Sequence, residues 1–351
     1  MNDKRLRIGL VGAGNIFRTR HLPALARLPG IELAAVANRT RASAESVARE
    51  FGISEVLEHW EPLVARTDLD AIWIGTWPYL HSIVSVAALE AGKHVFCQAR
   101  MAMDLADARR MLDAARRRPE LVSMVCPAPC RLLYEPWFAD LVSNERLGPI
   151  RLIELVSRSG ANLDSHRVTW RERVELSGSN VLMLGIYAET LNAWFGPYRN
   201  LIARAATPLR VKRDDSGAEV EIGIPQVVVV SGELERGTQV VEYHTGLVAD
   251  AASRQESLAV WGARGTVRHI LWSDVLEAAE PEGDFRPVAV PDALRKSWTV
   301  ERDFIDAVRA ARAGRPWTVT PDFAEGVAYM RKIEAVHASA SRGRVVRLNE
   351  L

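Results

Sequence analysis

RLRIGLVGAGNIFRTRHLPAL, residues 5–25, decides the fold class. Arg5–Val11 is an apolar, β-branched run of strand length. It ends at Gly12-Ala13-Gly14, and a helical pattern, Asn15–Leu28, follows at once. Gly12 and Gly14 take the first two places of G-x-G-x-x-G. The first glycine permits a tight turn, and the second lets backbone approach a pyrophosphate at a helix N-terminus. Gly12, Gly14, Asn15 and Ile16 are therefore expected to carry that turn. The third place holds Phe17 instead of a small residue. A strand before the turn and a helix after it supply the context the pattern needs.

The same rhythm runs on. Strand-like runs are expected at Glu32–Ala37, Ala71–Thr76, His94–Cys97 and Leu121–Cys126, and helices at Arg41–Phe51, Leu80–Ala91 and Asp104–Arg117. Continuously apolar strands alternating with helices predict a doubly wound parallel α/β domain over residues 1–125. The pattern then changes. PAPCRLLYEPW reads as a connector. Beyond it come a helix at Pro136–Ser143, a strand at Ile150–Ser157, a polar stretch at 160–179 and a helix at Val181–Phe195. Strand runs follow at Leu201–Ala206, Gln226–Leu234, Thr238–His244, Ser257–Trp261 and Thr266–Ile270, and helices at 295–312 and 321–337. Short turns between successive strands predict, over 126–351, an α+β domain with an open, mainly antiparallel sheet and helices on one side.

The chain has 351 residues, 48% of them hydrophobic and 25% charged, and a net charge of +1. Near neutrality gives no support for nucleic-acid binding or polybasic membrane attachment. No apolar stretch reaches spanning length. Three cysteines, Cys97, Cys126 and Cys130, do not make a disulfide framework. MNDKRLRIGLVGAG lacks the apolar core and cleavage site of a signal peptide, so a cytoplasmic protein is expected. Cys126 and Cys130 have no second pair, and no metal site is expected.

The second strand run ends in AAVANRTRAS. An acid near this place would take the ribose hydroxyls of NAD, but here stand Asn38, Arg39 and Arg41, with Ser43 beyond. Arginine can hold a 2′-phosphate that an acid would repel. An NADP preference is expected, with NAD as the alternative.

Three further stretches, GTWPYLHSIVSVAALEAGKHVFC, WRERVELSGSN and VLMLGIYAETLNAWFG, together with GLVGAGNIF and RHLPAL, resemble the Gfo/Idh/MocA family, the glucose–fructose oxidoreductase and inositol dehydrogenase group. The resemblance implies a Rossmann domain, a C-terminal sheet domain that often pairs subunits into a homo-oligomer, a nicotinamide cofactor, and a small-molecule substrate such as a sugar or polyol. It implies that Thr76, Trp77 and His81 form a turn beside the nicotinamide, and that Trp170 and Arg171 approach the cofactor. The family's Glu-Lys-Pro falls on Gln98, Ala99 and Arg100, and its Asp-x-x-x-His falls on Met183 and Tyr187. The expected lysine, aspartate and histidine are thus all replaced, while Gln98 keeps the size and acceptor of a glutamate.

Transfer of a hydride to or from a carbon–oxygen bond also moves a proton. Tyr187, at the family's histidine place, is the first acid/base candidate, its phenol lowered if a cation such as Arg100 stands beside it. His166 in NLDSHRVTW is the second. Arg131, Tyr134 and Glu189 could meet an anionic or polyol substrate. Two readings follow. One is an NADP(H)-dependent oxidoreductase of sugars, polyols or related carbinol and carbonyl compounds with an atypical active site. The other is a catalytically degenerate member that binds nucleotide or sugar as a sensor or partner subunit.

Overall fold

A computed structural model describes residues 5–164 and 167–351. The chain divides into two compact units, Met1–Pro127 with Thr299–Val327, and Ala128–Trp298 with Ala328–Leu351. The segment Thr299–Val327, expected in the second domain, packs with the first. An amphipathic helix announces a buried face but not the sheet it covers.

The first unit holds a six-stranded parallel sheet of β1 (Leu6–Val11), β2 (Ile31–Ala37), β3 (Glu55–Leu57), β4 (Ala71–Ile74), β5 (His94–Cys97) and β6 (Ser123–Val125). Their order is β3-β2-β1-β4-β5-β6. The order reverses beside β1, and loops at the carboxyl ends of β1 and β4 open there, where ligands bind in such sheets. Helices α1 (Leu22–Leu25), α2 (Arg41–Phe51), α3 (Trp60–Val64), α4 (Pro78–Glu90) and α5 (Leu105–Arg117) make the crossovers. Thr40 caps α2 by accepting the Ser43 N–H, and Gly52 ends it in a left-handed conformation. β4 and β5 are buried throughout, as strands covered on both faces must be. β3 and α3 are not among the expected elements, because three and five residues carry too little periodicity. The helix expected over Asn15–Leu28 runs as a helical stretch from Asn15 to Leu25 with a π turn at Phe17–His21.

The second unit contains the short helices α6 (Pro129–Leu132), α7 (Glu135–Ser143) and α8 (Val174–Ser177), and the longer α9 (Leu184–Phe195). Its strands are β7 (Ile150–Arg158), β8 (Tyr198–Ala206), β9 (Val211–Arg213), β10 (Glu219–Glu221), β11 (Val227–Leu234), β12 (Gln239–Thr245), β13 (Gln255–Gly262), β14 (Gly265–Ile270), β15 (Leu276–Ala279), β16 (Arg286–Pro287) and β17 (Val346–Arg347). Nine of them form one sheet, ordered β16-β15-β14-β13-β7-β12-β11-β8-β17. Every pairing in it is antiparallel except β12 with β7. Alternation of buried with half-buried or exposed residues along β11, and along β12 up to His244, puts one face on the core and leaves the other outward. The remaining helices are α10 (Val300–Arg312), in the first unit, and α11 (Phe323–Arg342).

Candidate functional site

In the first unit a pocket of about 530 Å³ lies at the carboxyl ends of β1, β2 and β4. Gly12, Gly14, Asn15, Asn38, Arg39, Thr76 and Trp77 all line it. Ile16, Arg41, His81 and Gln98 do not. Glu58, His59 and Trp60, which line it too, were missed. The signal for them was the place of Glu58 directly after β3, at the same carboxyl edge.

Gly12 has φ +79°, and a Cβ there would come within 2.6 Å of the Thr76 nitrogen. Only glycine fits this turn. A Cβ on Gly14 would meet nothing nearer than Gly12 O at 4.0 Å, so its surroundings are open. The turn closes through Gly14 N–H to Gly12 O at 2.8 Å, and Gly12 N–H donates to Ala37 O at 2.8 Å. Phe17, the departure from the motif, is buried against Gly75 at the end of β4. The close approach that the motif's third glycine normally allows is supplied here from the opposite side, by Gly75.

Asn38 accepts the Ala13 N–H at 2.7 Å, so its amide braces the glycine turn. The Arg39 guanidinium lies 5.1 Å from the centre of the Trp77 ring, a cation–π distance. Arg41 donates to Glu45 at 2.9 Å and to Glu58, which lines the pocket, at 3.3 Å. His81 is buried, with ring nitrogens 2.9 Å from Thr76 O and 2.9 Å from Arg100 O. It ties the turn after β4 to the loop after β5, and burial holds its pKa below the usual histidine value.

Gln98 in that loop accepts its neighbour's Ala99 N–H at 3.1 Å, and its amide nitrogen lies 3.3 Å from His21 Nε2. His21 Nδ1 in turn lies 2.6 Å from Glu301 Oε1, and both are buried. Glu301 sits in the first turn of α10, a favourable place for a carboxylate. Cys97 is buried with its thiol pushed up by burial, as suits a small apolar residue and not a nucleophile.

In the second unit Trp170 lies under the Arg171 guanidinium at 4.4 Å. Tyr187, on α9, is buried, and its hydroxyl donates to Glu256 on β13. The expected neighbouring cation is replaced by a carboxylate. Burial first, and then the Glu256 charge, push the phenol up, the reverse of the shift expected from the sequence. Arg131 is buried between Glu135 at 2.6 Å and Glu189 at 3.1 Å, so its charge is met within the unit. His166 lies outside the described residues. Among the described residues no group of three or more His, Cys, Asp or Glu could hold a metal ion, and no helix is long and apolar enough to cross a membrane.

Residues 6–125 match the model of the oxidoreductase family with NAD-binding Rossmann fold, GFO_IDH_MocA. A dTDP-3,4-didehydro-2,6-dideoxy-alpha-D-glucose 3-reductase from Streptomyces violaceoruber is 32% identical over 191 residues, 52% of either chain. A 1,5-anhydro-D-fructose reductase from Ensifer adhaerens is 32% identical over 187 residues, 53% of this chain and 55% of the relative. The match thus spans about half the length of these relatives. A levoglucosan dehydrogenase in complex with NADH and L-sorbose superposes with a TM-score of 0.85 over 98% of this chain and 99% of that one, at 20% identity, which establishes the fold. Over residues 6–125 the chain is thus similar to the NAD-binding Rossmann domain of the Gfo/Idh/MocA oxidoreductase family, and over its whole length it shares the fold of levoglucosan dehydrogenase.

Proposed function

We propose that the protein is a nicotinamide-dinucleotide-dependent oxidoreductase that interconverts a carbinol and a carbonyl on a sugar, polyol or related small molecule in the cytoplasm. The observation that carries this is the pocket in which the glycine turn, Arg39 and the Thr76-Trp77 turn meet. In this reading the Gly12–Ile16 turn faces the pyrophosphate. Arg39, stacked on Trp77, receives a 2′-phosphate, and NADP(H) is preferred. Arg41, bonded to Glu58 at 3.3 Å, offsets the charge of that carboxylate, which lines the same pocket. When bound, the nicotinamide supplies the hydride acceptor or donor. The chain's own task is then to orient the reacting carbon and to move one proton. The relatives' names, reductases of a deoxysugar nucleotide and of an anhydrofructose, support the substrate class.

The degenerate reading is favoured by one observation: Ala99 and Met183 stand where the family's lysine and aspartate would be. Titration with NADPH and NADH, read by fluorescence of Trp60 and Trp77, followed by a carbinol and carbonyl panel, separates the two. Binding with turnover establishes the enzyme. Binding without turnover of any substrate turns the assignment to the sensor or partner subunit, and binding of neither dinucleotide sinks both. A homo-oligomer belongs to the same proposal: Ile202, Val229, Val241 and Tyr243 are exposed on the outward sheet face, and a second copy would cover them. A monomer by light scattering would remove that part.

A further inference from the structure

A charged pair at the edge of the first unit's pocket, Arg18 with Glu50, has no part yet in dinucleotide binding. Three charged side chains line that pocket, Arg18, Arg39 and Glu58. Arg39 follows β2 and rests on the Trp77 ring, and Glu58 is met by Arg41 at 3.3 Å. Arg18 is the cation on the glycine turn's own segment. Its N–H donates to Gly14 O at 3.1 Å, which places it one helical turn after the second glycine. Residues four apart share a helix face, and each Cα–Cβ bond tilts toward the helix start. Arg18 therefore rises from the face that carries Gly14, with its Cα–Cβ bond directed back toward the turn.

The Arg18 guanidinium donates to Glu50 on α2 through Nη2. Ser43, Val47 and Glu50 follow at steps of four and three along α2, on one face of that helix. Ser43 and Val47 line the pocket and Glu50 does not, so the carboxylate stands just beyond the pocket while Arg18 borders the cavity itself. The two side chains are 40% and 41% exposed. An ion pair this exposed is weak, and exchanging its carboxylate for a better partner costs little. A phosphate is such a partner, because a guanidinium grips it through paired charge-assisted hydrogen bonds. The glycine turn offers a pyrophosphate backbone N–H groups but no charge, and Arg39 is assigned to the 2′-phosphate. Arg18 supplies the missing charge.

We propose that Arg18 binds the pyrophosphate of the dinucleotide and that Glu50 competes with the ligand for it. The inference deepens the dinucleotide reading given above and rests on it. Glu50 holds the guanidinium at the α2 wall until a dinucleotide takes the charge over. Glu50 is then left to water, which its exposure allows. The competition lowers the affinity for NADPH and NADH alike, since both carry the pyrophosphate. Arg39 bears only on the 2′-phosphate and tells the two apart. The pocket's two arginines thus have separate tasks, Arg18 for the strength of binding and Arg39 for the choice of dinucleotide.

The test is a set of NADPH and NADH titrations on the full chain. Arg18→Gln should weaken both by about tenfold and leave their ratio unchanged. Glu50→Gln should tighten both by about two- to fivefold, the size of an exposed ion pair released. Added to Arg18→Gln, Glu50→Gln should change neither, because no guanidinium is left to free. A purely structural tie gives another pattern: the two single variants weaken binding together, or neither moves it, and either result overturns the proposal. A loss in Arg18→Gln confined to NADPH also overturns it, by assigning the guanidinium to the 2′-phosphate. So does tightening by Glu50→Gln that persists beside Arg18→Gln, which is a general effect of charge. In each of these cases the wild-type protein still binds dinucleotide, and the oxidoreductase reading stands. Binding of neither dinucleotide by the wild-type protein overturns both.

Discussion

Asn38 Oδ1 accepts the Ala13 N–H at 2.7 Å, which joins the end of β2 to the glycine turn after β1. The turn is thus held by a side chain and not by its own backbone alone. Asn38→Leu strands a buried amide, at a cost of about 1–3 kcal/mol, while Asn38→Asp keeps the acceptor. Thermal melts and NADPH titrations should show a lower melting point and weaker binding for the leucine variant, with the aspartate variant close to wild type in stability. Equal stability of the two would remove the brace.

The two arginines after β2 are engaged differently. Arg41 is met by Glu45 and Glu58, whereas Arg39 rests on Trp77 inside the pocket. Removing a charge-assisted contact costs about 1.5–3 kcal/mol, or roughly tenfold or more in affinity. Arg39→Ala should therefore lower the NADPH-over-NADH affinity ratio by about tenfold, while Arg41→Ala changes it less. An unaltered ratio in Arg39→Ala would remove the 2′-phosphate assignment.

Much of the first domain was legible because a parallel sheet writes itself locally. The bounds of α2 and β5 match the expected Arg41–Phe51 and His94–Cys97, since capping and continuous apolarity are local signals. The pocket's glycines were legible for the same reason. What was not legible depends on distant residues. Glu301 meets His21 across 280 positions, Glu256 meets Tyr187 across 69, and no periodicity encodes either encounter. The engagement of Arg41 was not legible either, because pairing with Glu45 at i,i+4 and with Glu58 competes with a ligand for the same guanidinium.

His21 and Glu301 form a buried pair, and removing Glu301 takes the carboxylate away from His21 Nδ1. Glu301→Ala is expected to destabilise the protein by about 1–3 kcal/mol, the cost of a buried polar group that loses a hydrogen-bond partner. Glu301→Gln, which can still accept from Nδ1–H, should cost less. Because the same ring meets Gln98, both variants should also weaken dinucleotide binding if that loop contacts the cofactor. Denaturant melts that rank glutamine at or below alanine would contradict the pairing.

His94 gives the protein an acid-sensitive element. It is buried, and its Nδ1 accepts the Val122 N–H at 2.9 Å, which requires that nitrogen unprotonated. Burial, the largest cause, brings its pKa down from 6.5 to about 4. The native state therefore resists a proton that the unfolded state accepts below pH 6.5. Stability from this group is present above 6.5, falls as pH drops through that value, and is exhausted near pH 4. The full span is on the order of 3 kcal/mol. Denaturant melts from pH 7 to pH 4 should show a shallower decline in His94→Gln than in the wild-type protein, and parallel declines would place the acid sensitivity elsewhere.

Phe17 and Gly75 are the two halves of one packing solution. The phenyl ring is fully buried and stacks edge-on to His21 at 5.1 Å and Trp73 at 6.2 Å. A Cβ on Gly75 would collide with that ring and come within 2.8 Å of Gly12 O. Gly75→Ala must then push either the ring or the glycine turn, and overpacking of this kind costs about 1–3 kcal/mol. Phe17→Ala has the opposite defect, a cavity costing about 3–5 kcal/mol. If the two sites share one space, the double variant should recover part of the loss, since the alanine methyl enters room vacated by the ring. A double-mutant cycle measures this directly. Strict additivity would mean that Phe17 only fills core volume, whereas positive coupling, together with NADPH affinity restored relative to Gly75→Ala alone, would show that the ring and the missing Cβ jointly set the shape of the cofactor turn.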